Sequence, residues 1–339
     1  MKAAPVLHAL NKQRAAKQTL VHTGQHYDFN MSEVFFSQLE IPAPDVNLGV
    51  GSGSHAQQTA EIMSRFEPVV LEWRPDCVLV YGDVNSTVAA ALVCAKLGVR
   101  IGHVEAGLRS FDWSMPEEIN RVVTDRLANF LFTPSEDADA NLKHEGISAE
   151  KIHRVGNVMI DSLVRLLPAA ESLPRNGYPE RYVLVTLHRP ANVDDNETLK
   201  NILKSLLEIN ESLDVIFPVH PRTRQRIEDF GHKAGNLHLY GPLPYIEFLA
   251  LLRCAAVVIT DSGGIQEETT YLGVPCLTLR NNTERPVTVS LGTNIIVGQD
   301  RNKLGAELSK IVEGKGKKGS IPPMWDGHAG ERIAEILQS

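Results

Sequence analysis

Short runs rich in Val, Ile and Leu alternate with longer amphipathic segments along nearly the whole chain. Runs such as residues 77–82 and 182–187 are almost continuously apolar, which is typical of strands that are covered on both faces. The segments between the runs, for example residues 86–97 and 197–213, have helical periodicity. Because strands that alternate with helices build parallel sheets, the pattern predicts an α/β fold. The other predicted strands are residues 19–25, 100–105, 130–133, 152–155, 215–220, 237–240, 255–260, 275–279 and 293–297.

The length of the chain predicts its division into domains. A chain of 339 residues is too long for one typical core, so we expect two domains of about 150 residues each. A stretch rich in proline and polar residues at 166–182 predicts the hinge. The predicted domains are residues 1–168 and 178–325, and residues 326–339 contain a terminal helix. A doubly wound domain normally opens with a strand, whereas this chain opens with helix-like sequence. We therefore expect that the first strand of the N-terminal domain is missing.

Composition argues against several classes of protein. A net charge of -7 does not suit a broad surface for nucleic acid. No apolar run approaches the roughly 20 residues of a membrane span, and the N-terminus lacks the apolar centre of a secretory signal. The expected location is therefore the cytoplasm. Cys77, Cys94, Cys254 and Cys276 lack the spacing of a metal site or a disulfide framework, which predicts reduced and mostly buried thiols.

Acidic residues follow two successive strands in the first half of the chain. Asp83 stands at the end of one apolar run and Glu105 at the end of the next. Open parallel sheets bind ligands at this edge, so we expect the two carboxylates to lie close together. Carboxylates held close shift each other's pKa values apart, as a general acid and a general base require. Glu117 follows a proline that is typical of a helix start and adds a third acid near this edge.

Structural roles remain open for each of these residues. Asp83 or Ser86 could cap the following helix, and Arg109 could neutralise Glu105 in a purely structural ion pair. Glu117 is also ordinary for the first turn of a helix, where acids interact well with the dipole. Three acids on successive loops at one sheet edge favour a functional arrangement over coincidence.

Basic residues follow two strands of the second half. His188 and Arg189 come directly after the predicted strand at 182–187. A histidine at such an edge is suited to act as an acid, a base or a phosphate ligand. His220 follows the next strand, but together with Pro221 it could serve only as a turn.

Residues 261–268 have the strongest signal for ligand binding. Glycines at a turn between strand and helix let a ligand approach the backbone, and the free N–H groups of the helix attract phosphate. Glu268, one turn into this helix, could accept hydrogen bonds from ribose hydroxyls, and Arg285 could bind a diphosphate with two hydrogen bonds. The structural alternative is a left-handed turn before a capped helix. The turn consists of Asp261, Ser262, Gly263 and Gly264.

Taken together and in this order, eight segments resemble the non-hydrolysing UDP-N-acetylglucosamine 2-epimerases. The resemblance covers nearly the whole chain, and although each segment alone is weak, the set is very specific. The segments are TGQHYD at 23–28, YGDVNST at 81–87, HVEAGLRSFD at 103–112, MPEEINR at 115–121, GN at 156–157, TLHRPAN at 186–192, DSGGIQEE at 261–268 and TERP at 283–286.

The resemblance implies a glycosyltransferase-B-like fold, in which two Rossmann-like domains face each other across a cleft and the C-terminal helix crosses back to the first domain. It implies interconversion of UDP-GlcNAc and UDP-ManNAc by elimination of UDP to a glycal and re-addition. No redox cofactor and no metal is implied, and a homodimer is expected. One branch of the family acts instead on UDP-2,3-diacetamido-2,3-dideoxyglucuronate. Some relatives need a second, allosteric UDP-GlcNAc, to which Gln25, His26 and His55 could contribute. A UDP-sugar glycosyltransferase or binding protein of the same fold remains an alternative.

The resemblance also implies roles for individual residues. Asp83, Glu105 and Glu117 would share removal and return of the C2 proton, and His188 would help the diphosphate to leave. Further candidates for binding UDP or the sugar are Lys2, Arg121, Arg189, His220, Phe248, Ser262, Gly263, Gly264, Glu268 and Arg285.

Overall fold

The computed structural model describes residues 1–13, 16–24, 37–174, 177–231 and 237–338. The chain divides into two compact units. Unit 1 comprises Met1–Ser162 and Pro323–Ser339, and unit 2 comprises Leu163–Pro322. Unit 1 is therefore built from two separate stretches of sequence.

Unit 1 is an α/β unit with parallel strands. Its strands are β1 (Val21–His22), β2 (Val46–Asn47), β3 (Cys77–Tyr81), β4 (Arg100–Val104), β5 (Phe130–Thr133) and β6 (Ile152–Arg154). Its helices are α1 (Ala3–Gln13), α2 (His55–Trp73), α3 (Asn85–Leu97), α4 (Pro116–Leu127), α5 (Glu136–His144) and α14 (Ala329–Gln338), and α6 (Val158–Ser172) continues into unit 2. Strands β3, β4, β5 and β6 form one parallel sheet in that order, and β1 pairs with β2.

The sheet of unit 1 is covered by apolar residues from both stretches of the unit. One cluster contains Ile62, Ala91 and Leu131. The other joins Val6 of α1 and Ile333 of α14 to the strands. The N-terminus of α14 is held by Asp161, whose carboxylate accepts hydrogen bonds from the backbone N–H groups of Ala329 at 3.1 Å and Gly330 at 2.7 Å. These contacts anchor α14 in unit 1.

Unit 2 is a parallel α/β unit with a single sheet of six strands. Its strands are β7 (Tyr182–Thr186), β8 (Asp214–Pro218), β9 (His238–Tyr240), β10 (Val257–Thr260), β11 (Cys276–Thr278) and β12 (Asn294–Ile296). Its remaining helices are α7 (Pro190–Val193), α8 (Asn196–Asn210), α9 (Pro221–Asp229), α10 (Tyr245–Leu252), α11 (Gly263–Leu272), α12 (Pro286–Ser290) and α13 (Arg301–Val312).

The strand order of unit 2 contains a switch point. The order is β12-β11-β10-β7-β8-β9, and all neighbouring strands are parallel. The chain therefore reverses its direction of winding between β7 and β10. In doubly wound sheets, the carboxyl ends of the strands on either side of such a switch point form the ligand crevice. The residues that follow β7 and β10 are thus the ones to examine.

The predicted α/β fold with parallel strands is confirmed. Each predicted strand has a counterpart among the described residues, although only Val21–His22 of the run at 19–25 is a strand, and Gln25 lies outside the described residues. The two-residue strand β2 was not predicted. The first part of the predicted hinge, residues 166–172, is helical, because α6 continues through Pro168 to Ser172. Within the described residues, no helix is both long and apolar enough to cross a bilayer.

Candidate active site

The first two predicted carboxylates follow neighbouring strands of unit 1. Strand β3 pairs with β4 in register, with Tyr81 opposite Val104. The backbone N–H of Gly82 then donates to the carbonyl of Val104 at 3.0 Å. Asp83 is the residue after Gly82, and Glu105 is the residue after Val104. The sheet edge therefore brings these two acids together, as the sequence predicted.

Glu105 has an unusual backbone conformation. Its φ is 75° although it is not glycine, and it is only 5% exposed. Left-handed backbone costs a bulky residue free energy and occurs most often at functional sites. The carboxylate forms an ion pair with Lys2. The Lys2 ammonium lies so close to Gly82 that a Cβ there would be 2.5 Å from Nζ, so the glycine makes room for the lysine.

The structural pairing of Arg109 with Glu105 that was considered above is wrong. Arg109 donates instead to Asp125 at 2.7 Å and, with two nitrogens, to Glu145 at 2.7 Å each. These partners lie on the α4 and α5 sides of the loop. Glu105 pairs with Lys2 and not with Arg109.

Asp83 is held by helix α4. The guanidinium of Arg121 contacts the Asp83 carboxylate at 2.9 Å, and the Asn120 amide donates to the Asp83 carbonyl at 2.9 Å. The next helix begins at Asn85 with Val84 as its N-cap and without a side-chain cap. The interpretation of Asp83 or Ser86 as a helix cap is therefore wrong. Arg121, which is 2% exposed, orients the Asp83 carboxylate and balances its charge.

Two adjacent glutamates in the first turn of α4 have opposite environments. Glu118 is 1% exposed, forms an ion pair with Arg121 and accepts hydrogen bonds from the backbone N–H groups of Ser110 at 3.0 Å and Phe111 at 2.8 Å. Glu117 is half-buried and makes no hydrogen bond or ion pair with the part of the chain that the structure describes. Glu118 therefore fixes the loop and Arg121, whereas the Glu117 carboxylate is available for proton transfer.

In unit 2, His188 and Asp261 lie on the two sides of the switch point. The buried Asp261 carboxylate accepts hydrogen bonds from the backbone N–H groups of His188 at 3.2 Å and Arg189 at 3.0 Å, and from the amide of Asn192 at 3.0 Å. Burial opposes its ionisation, but the contacts with His188 and these hydrogen bonds hold the pKa of Asp261 below its usual value. The His188 Nδ1 is 3.0 Å from Asp261, while the side chain is 53% exposed. Asp261 thus orients an accessible imidazole.

The glycine turn opens helix α11 without a left-handed residue. Ser262 is the N-cap with no side-chain hydrogen bond, and neither Gly263 nor Gly264 has a positive φ. The left-handed turn considered above is therefore wrong. A Cβ on Gly263 would lie 2.4 Å from Nη1 of Arg285, so glycine is needed here for the close approach of that arginine. The first N–H groups of α11 remain suited to an anion.

Glu268 is buried in α11 beside a residue that the sequence reading missed. The hydroxyl of Tyr245, on α10, donates to Oε1 of Glu268 at 2.8 Å, and Oε2 is buried without a hydrogen-bond partner among the described residues. Burial raises the pKa of Glu268 to about 8, against the opposing effect of the Tyr245 hydrogen bond. Phe248, half-buried, lies one turn after Tyr245 on α10. An isolated tyrosine in an apolar helix was the only signal of this partnership.

Arg285 is buried among carboxylates. Its Nε is 2.8 Å from Glu267, and its Nη1 forms an ion pair with Glu284. Glu284 also binds Arg280 at 2.6 Å, and Arg189 lies 3.8 Å from Glu284. The cluster fixes Arg285 directly over the glycine turn, at a helix start that attracts anions.

His220 and His55, which were also predicted, each make their own contacts. His220 is exposed and caps α9, where Nδ1 accepts from the Arg222 N–H at 3.3 Å. His55 of α2 lies 3.3 Å from the side-chain oxygen of Asn85, while Gln25 and His26 are outside the described residues. Among the described residues, no three His, Cys, Asp or Glu side chains are grouped to hold a metal ion.

The two sets of residues have distinct chemical capacities. Unit 1 presents three carboxylates in unlike environments, which is the arrangement that acid–base chemistry needs. Unit 2 presents a helix N-terminus, a fixed arginine and an accessible histidine, which suit a diphosphate. Its orphaned carboxyl oxygen on Glu268 suits a hydroxyl group of a ligand.

Known proteins are similar to this chain in sequence and in fold. Residues 8–338 match the family model described as UDP-N-acetylglucosamine 2-epimerase. A UDP-N-acetylglucosamine 2-epimerase homolog of Methanococcus maripaludis is 45% identical over 100% of this chain and 96% of its own length. The UDP-2,3-diacetamido-2,3-dideoxy-D-glucuronate 2-epimerase of Pseudomonas aeruginosa is 43% identical over 99% of this chain and 96% of its own length. The crystal structure of the Methanocaldococcus jannaschii UDP-GlcNAc 2-epimerase in complex with UDP-GlcNAc and UDP gives a TM-score of 0.91 at 43% identity, covering 99% of this chain and 95% of that one. The resemblance inferred from the motifs is therefore confirmed: the chain belongs to the UDP-N-acetylglucosamine 2-epimerase family.

Proposed function

We propose that the protein is an enzyme that interconverts UDP-GlcNAc and UDP-ManNAc by inverting the configuration at C2. The observation that carries this proposal is that Asp83 and Glu105 follow paired strands of unit 1 while helix α4, which bears Glu117, contacts Asp83, in a chain of this family. Asp83 is held by an arginine, Glu105 by a lysine and Glu117 by neither. The three carboxylates thus have unlike partners, and a reaction that both removes and returns a proton needs groups in separate roles.

The proposed reaction has two steps, elimination of UDP and its re-addition. In the first, the C2–H bond breaks and a carboxylate takes the proton, while the C1–O bond breaks and its electron pair leaves with UDP, which produces a glycal. In the second, UDP adds back to C1 and a proton is delivered to the opposite face of C2. Glu117, which has no fixed partner, is the proposed proton carrier. Asp83 and Glu105 share the second proton transfer and stabilise positive charge at C1.

The contacts of unit 2 support its proposed role in binding UDP. The N-terminus of α11 at Ser262, with Arg285 above it, suits the diphosphate. His188, oriented by Asp261, is proposed to assist departure of the diphosphate. The unpartnered Oε2 of Glu268 suits a ribose hydroxyl, and Phe248 is the proposed aromatic contact of the uracil. Arg189 and His220 follow the same sheet edge and remain proposed ligands of the phosphates.

Exchange with solvent tests the proposed reaction directly. UDP-GlcNAc incubated with the enzyme in deuterated water should gain deuterium at C2 and yield UDP-ManNAc, as followed by proton NMR. Absence of both deuterium and product would refute the proposed function. Glu117→Gln should retain UDP affinity but lose at least about 100-fold in kcat, the usual scale for a general acid–base residue. Glu136→Gln is the matched control, because Glu136 also stands in a first helical turn of unit 1 but is 85% exposed.

The substrate of the Pseudomonas aeruginosa relative defines the alternative within the family. A competition assay with UDP-GlcNAc and UDP-2,3-diacetamido-2,3-dideoxyglucuronate in one tube, read by chromatography, compares kcat/KM for the two. Preference for the uronate would replace the proposed substrate while keeping the reaction. A glycosyltransferase would instead release UDP only when an acceptor is present, and it would leave the C2 proton in place.

A homodimer and an allosteric UDP-GlcNAc complete the proposed description. A surface pocket of about 430 Å³ in unit 1 supports a second ligand site. Its lining includes His55, Asn85, Pro116, Ile119 and Asn120. A lag in the conversion of UDP-ManNAc that is removed by a trace of UDP-GlcNAc would support the allosteric role, and sedimentation velocity would test the dimer. The four free thiols suit a reducing compartment and support a cytoplasmic location.

A further inference from the structure

A fully buried histidine lies between the two carboxylate-bearing turns of unit 1. His103 is on β4, two residues before Glu105, and is 0% exposed. Its Nδ1 is 2.6 Å from Oδ1 of Asp125, and its Nε2 is 2.8 Å from the carbonyl oxygen of Gly82. The ring therefore bridges helix α4 and the residue that precedes Asp83.

Both partners of the His103 ring are hydrogen-bond acceptors. A carbonyl oxygen can only accept. The Asp125 carboxylate also accepts at its other oxygen, from Arg109 at 2.7 Å and from the backbone N–H of Gly107 at 3.1 Å. A neutral imidazole has one N–H and would turn a lone pair towards one of these acceptors. Only the imidazolium, with two N–H donors, satisfies both contacts.

The surroundings compensate for burying this positive charge. Burial opposes ionisation of Asp125, but His103 and Arg109 hold the pKa of its carboxyl below the usual value. Arg109 is balanced in turn by Glu145. Two cations and two anions thus form a closed set, and a buried charge needs such pairing to be tolerated. The other charged groups near the Gly82 turn form two ion pairs, Lys2 with Glu105 and Arg121 with Asp83.

The same network holds both turns that bear the reactive acids. Nε2 of His103 fixes the carbonyl of Gly82, whose peptide continues into Asp83. Asp125 fixes the N–H of Gly107, two residues after Glu105. Asp125 and Arg121 lie one helical turn apart on α4, and Arg121 binds the Asp83 carboxylate. Helix α4 therefore controls the main chain before Asp83 through the imidazolium and its side chain through the arginine.

We propose that His103 is a positioning residue for the epimerase reaction, held as an imidazolium by Asp125 so that it fixes the peptide before Asp83. This role rests on the proposed function, but the charge state of His103 does not. The residue contacts no substrate. Its loss should therefore lower kcat by roughly 30- to 100-fold, the scale expected for a misplaced reactive group, and leave KM for UDP-GlcNAc within about threefold.

Nitrogen NMR of the full-length wild-type protein tests the charge state without any variant. In protein labelled with ¹⁵N-histidine, both ring nitrogens of His103 should appear as protonated at pH 7.5. Through-bond correlations from the backbone of His103, in wild-type protein labelled with ¹³C and ¹⁵N, assign these signals. A neutral tautomer of His103, with one nitrogen unprotonated, would overturn the proposal even if no variant folded well enough for kinetics.

Kinetics tests the positioning role. Asp125→Asn removes the anion that holds the imidazolium, so it should lower kcat about as much as His103→Gln, and the double variant should fall little further. His153→Gln is the matched control, because His153 lies on β6 of the same sheet and packs near the rings of Phe130 and Phe132. It should keep kcat within twofold.

The outcomes separate the two proposals. If the wild type neither exchanges the C2 proton nor forms product, the proposed function fails, and with it the role of His103 in that reaction. If the wild type is active but folded His103→Gln keeps more than half of kcat, only the positioning role fails. Folding of the variants is checked by a cooperative urea transition, even if its midpoint is lower, and by UDP affinity, which should match that of the wild type.

Discussion

Replacement of Glu268 by glutamine should make the protein progressively more stable than the wild type as the pH rises. The folded protein holds the pKa of Glu268 at about 8, against 4.5 for an unperturbed glutamate, because the side chain is buried. Between these values the unfolded chain releases a proton that the folded chain retains. The folded state then binds more protons than the unfolded state, so the free energy of unfolding falls as the pH rises.

The magnitude follows from the two pKa values. One pH unit within this window changes the free energy of unfolding by about 1.4 kcal/mol per proton. Integration from pH 6 to pH 8 gives a loss of about 2 kcal/mol for the wild type. Glutamine is neutral, keeps an oxygen to accept the 2.8 Å hydrogen bond from Tyr245, and does not titrate. The difference in stability between variant and wild type should therefore grow by about 2 kcal/mol over this range.

Urea unfolding at pH 6, 7 and 8, followed by circular dichroism, measures this difference. Subtracting the free energy of unfolding of the wild type from that of the variant cancels the contribution of every group that titrates alike in both proteins. Glu247 is exposed on the same helix as Tyr245, and Glu247→Gln should give a difference that does not vary with pH. A Glu268→Gln difference that stays constant between pH 6 and pH 8 would refute the inferred burial of a neutral carboxyl group.

Three further substitutions test the close contact at Gly263, the proposed binding of UDP by Arg285 and the cap that Asp161 provides for α14. Gly263→Ala should destabilise the protein by about 1–3 kcal/mol, the usual cost of overpacking, because the new Cβ would lie 2.4 Å from the Arg285 guanidinium; an unchanged urea midpoint would contradict this. Arg285→Ala should weaken UDP binding by about 1.5–3 kcal/mol, the scale of a charged hydrogen bond, and calorimetry that finds an unaltered Kd would remove Arg285 from the proposed site. Asp161→Ala should cost about 1–2 kcal/mol through loss of a helix cap, and hydrogen exchange should speed up at the Gly330 amide; retained protection there would show that the cap is dispensable.

The sequence was sufficient for the central strands of unit 2 because they are buried along nearly their whole length. The run at 182–187 is apolar at nearly every position, and β7 is found there, within one residue at its end. Strand β2 has only two residues, Val46 and Asn47, so no periodicity could reveal it. The proline content of the predicted hinge did not reveal that its first part is helical, because Pro168 lies inside α6.

The placement of Asp83 and Glu105 after neighbouring strands could likewise be predicted, because adjacent parallel strands end at the same edge. Their partners could not be predicted. Glu117 and Glu118 are identical neighbours in sequence, and only the orientation of α4 decides which one is buried. His103 meets Asp125 across 22 positions, and Tyr245 meets Glu268 across 23. Such pairs depend on how helices pack on the sheet, which local patterns do not encode.

The discontinuous makeup of unit 1 affects how the protein is synthesised. Helix α14 contributes Ala329 and Ile333 to the same apolar cluster as Val6 of α1, yet the ribosome makes these residues more than 300 positions apart. Until residue 323 has been made, the apolar face that α14 covers on α1 stays uncovered, although all of unit 2 has by then been synthesised. Completion of unit 1 therefore waits for the last stretch of this sequence, and an apolar face left exposed during that time favours aggregation.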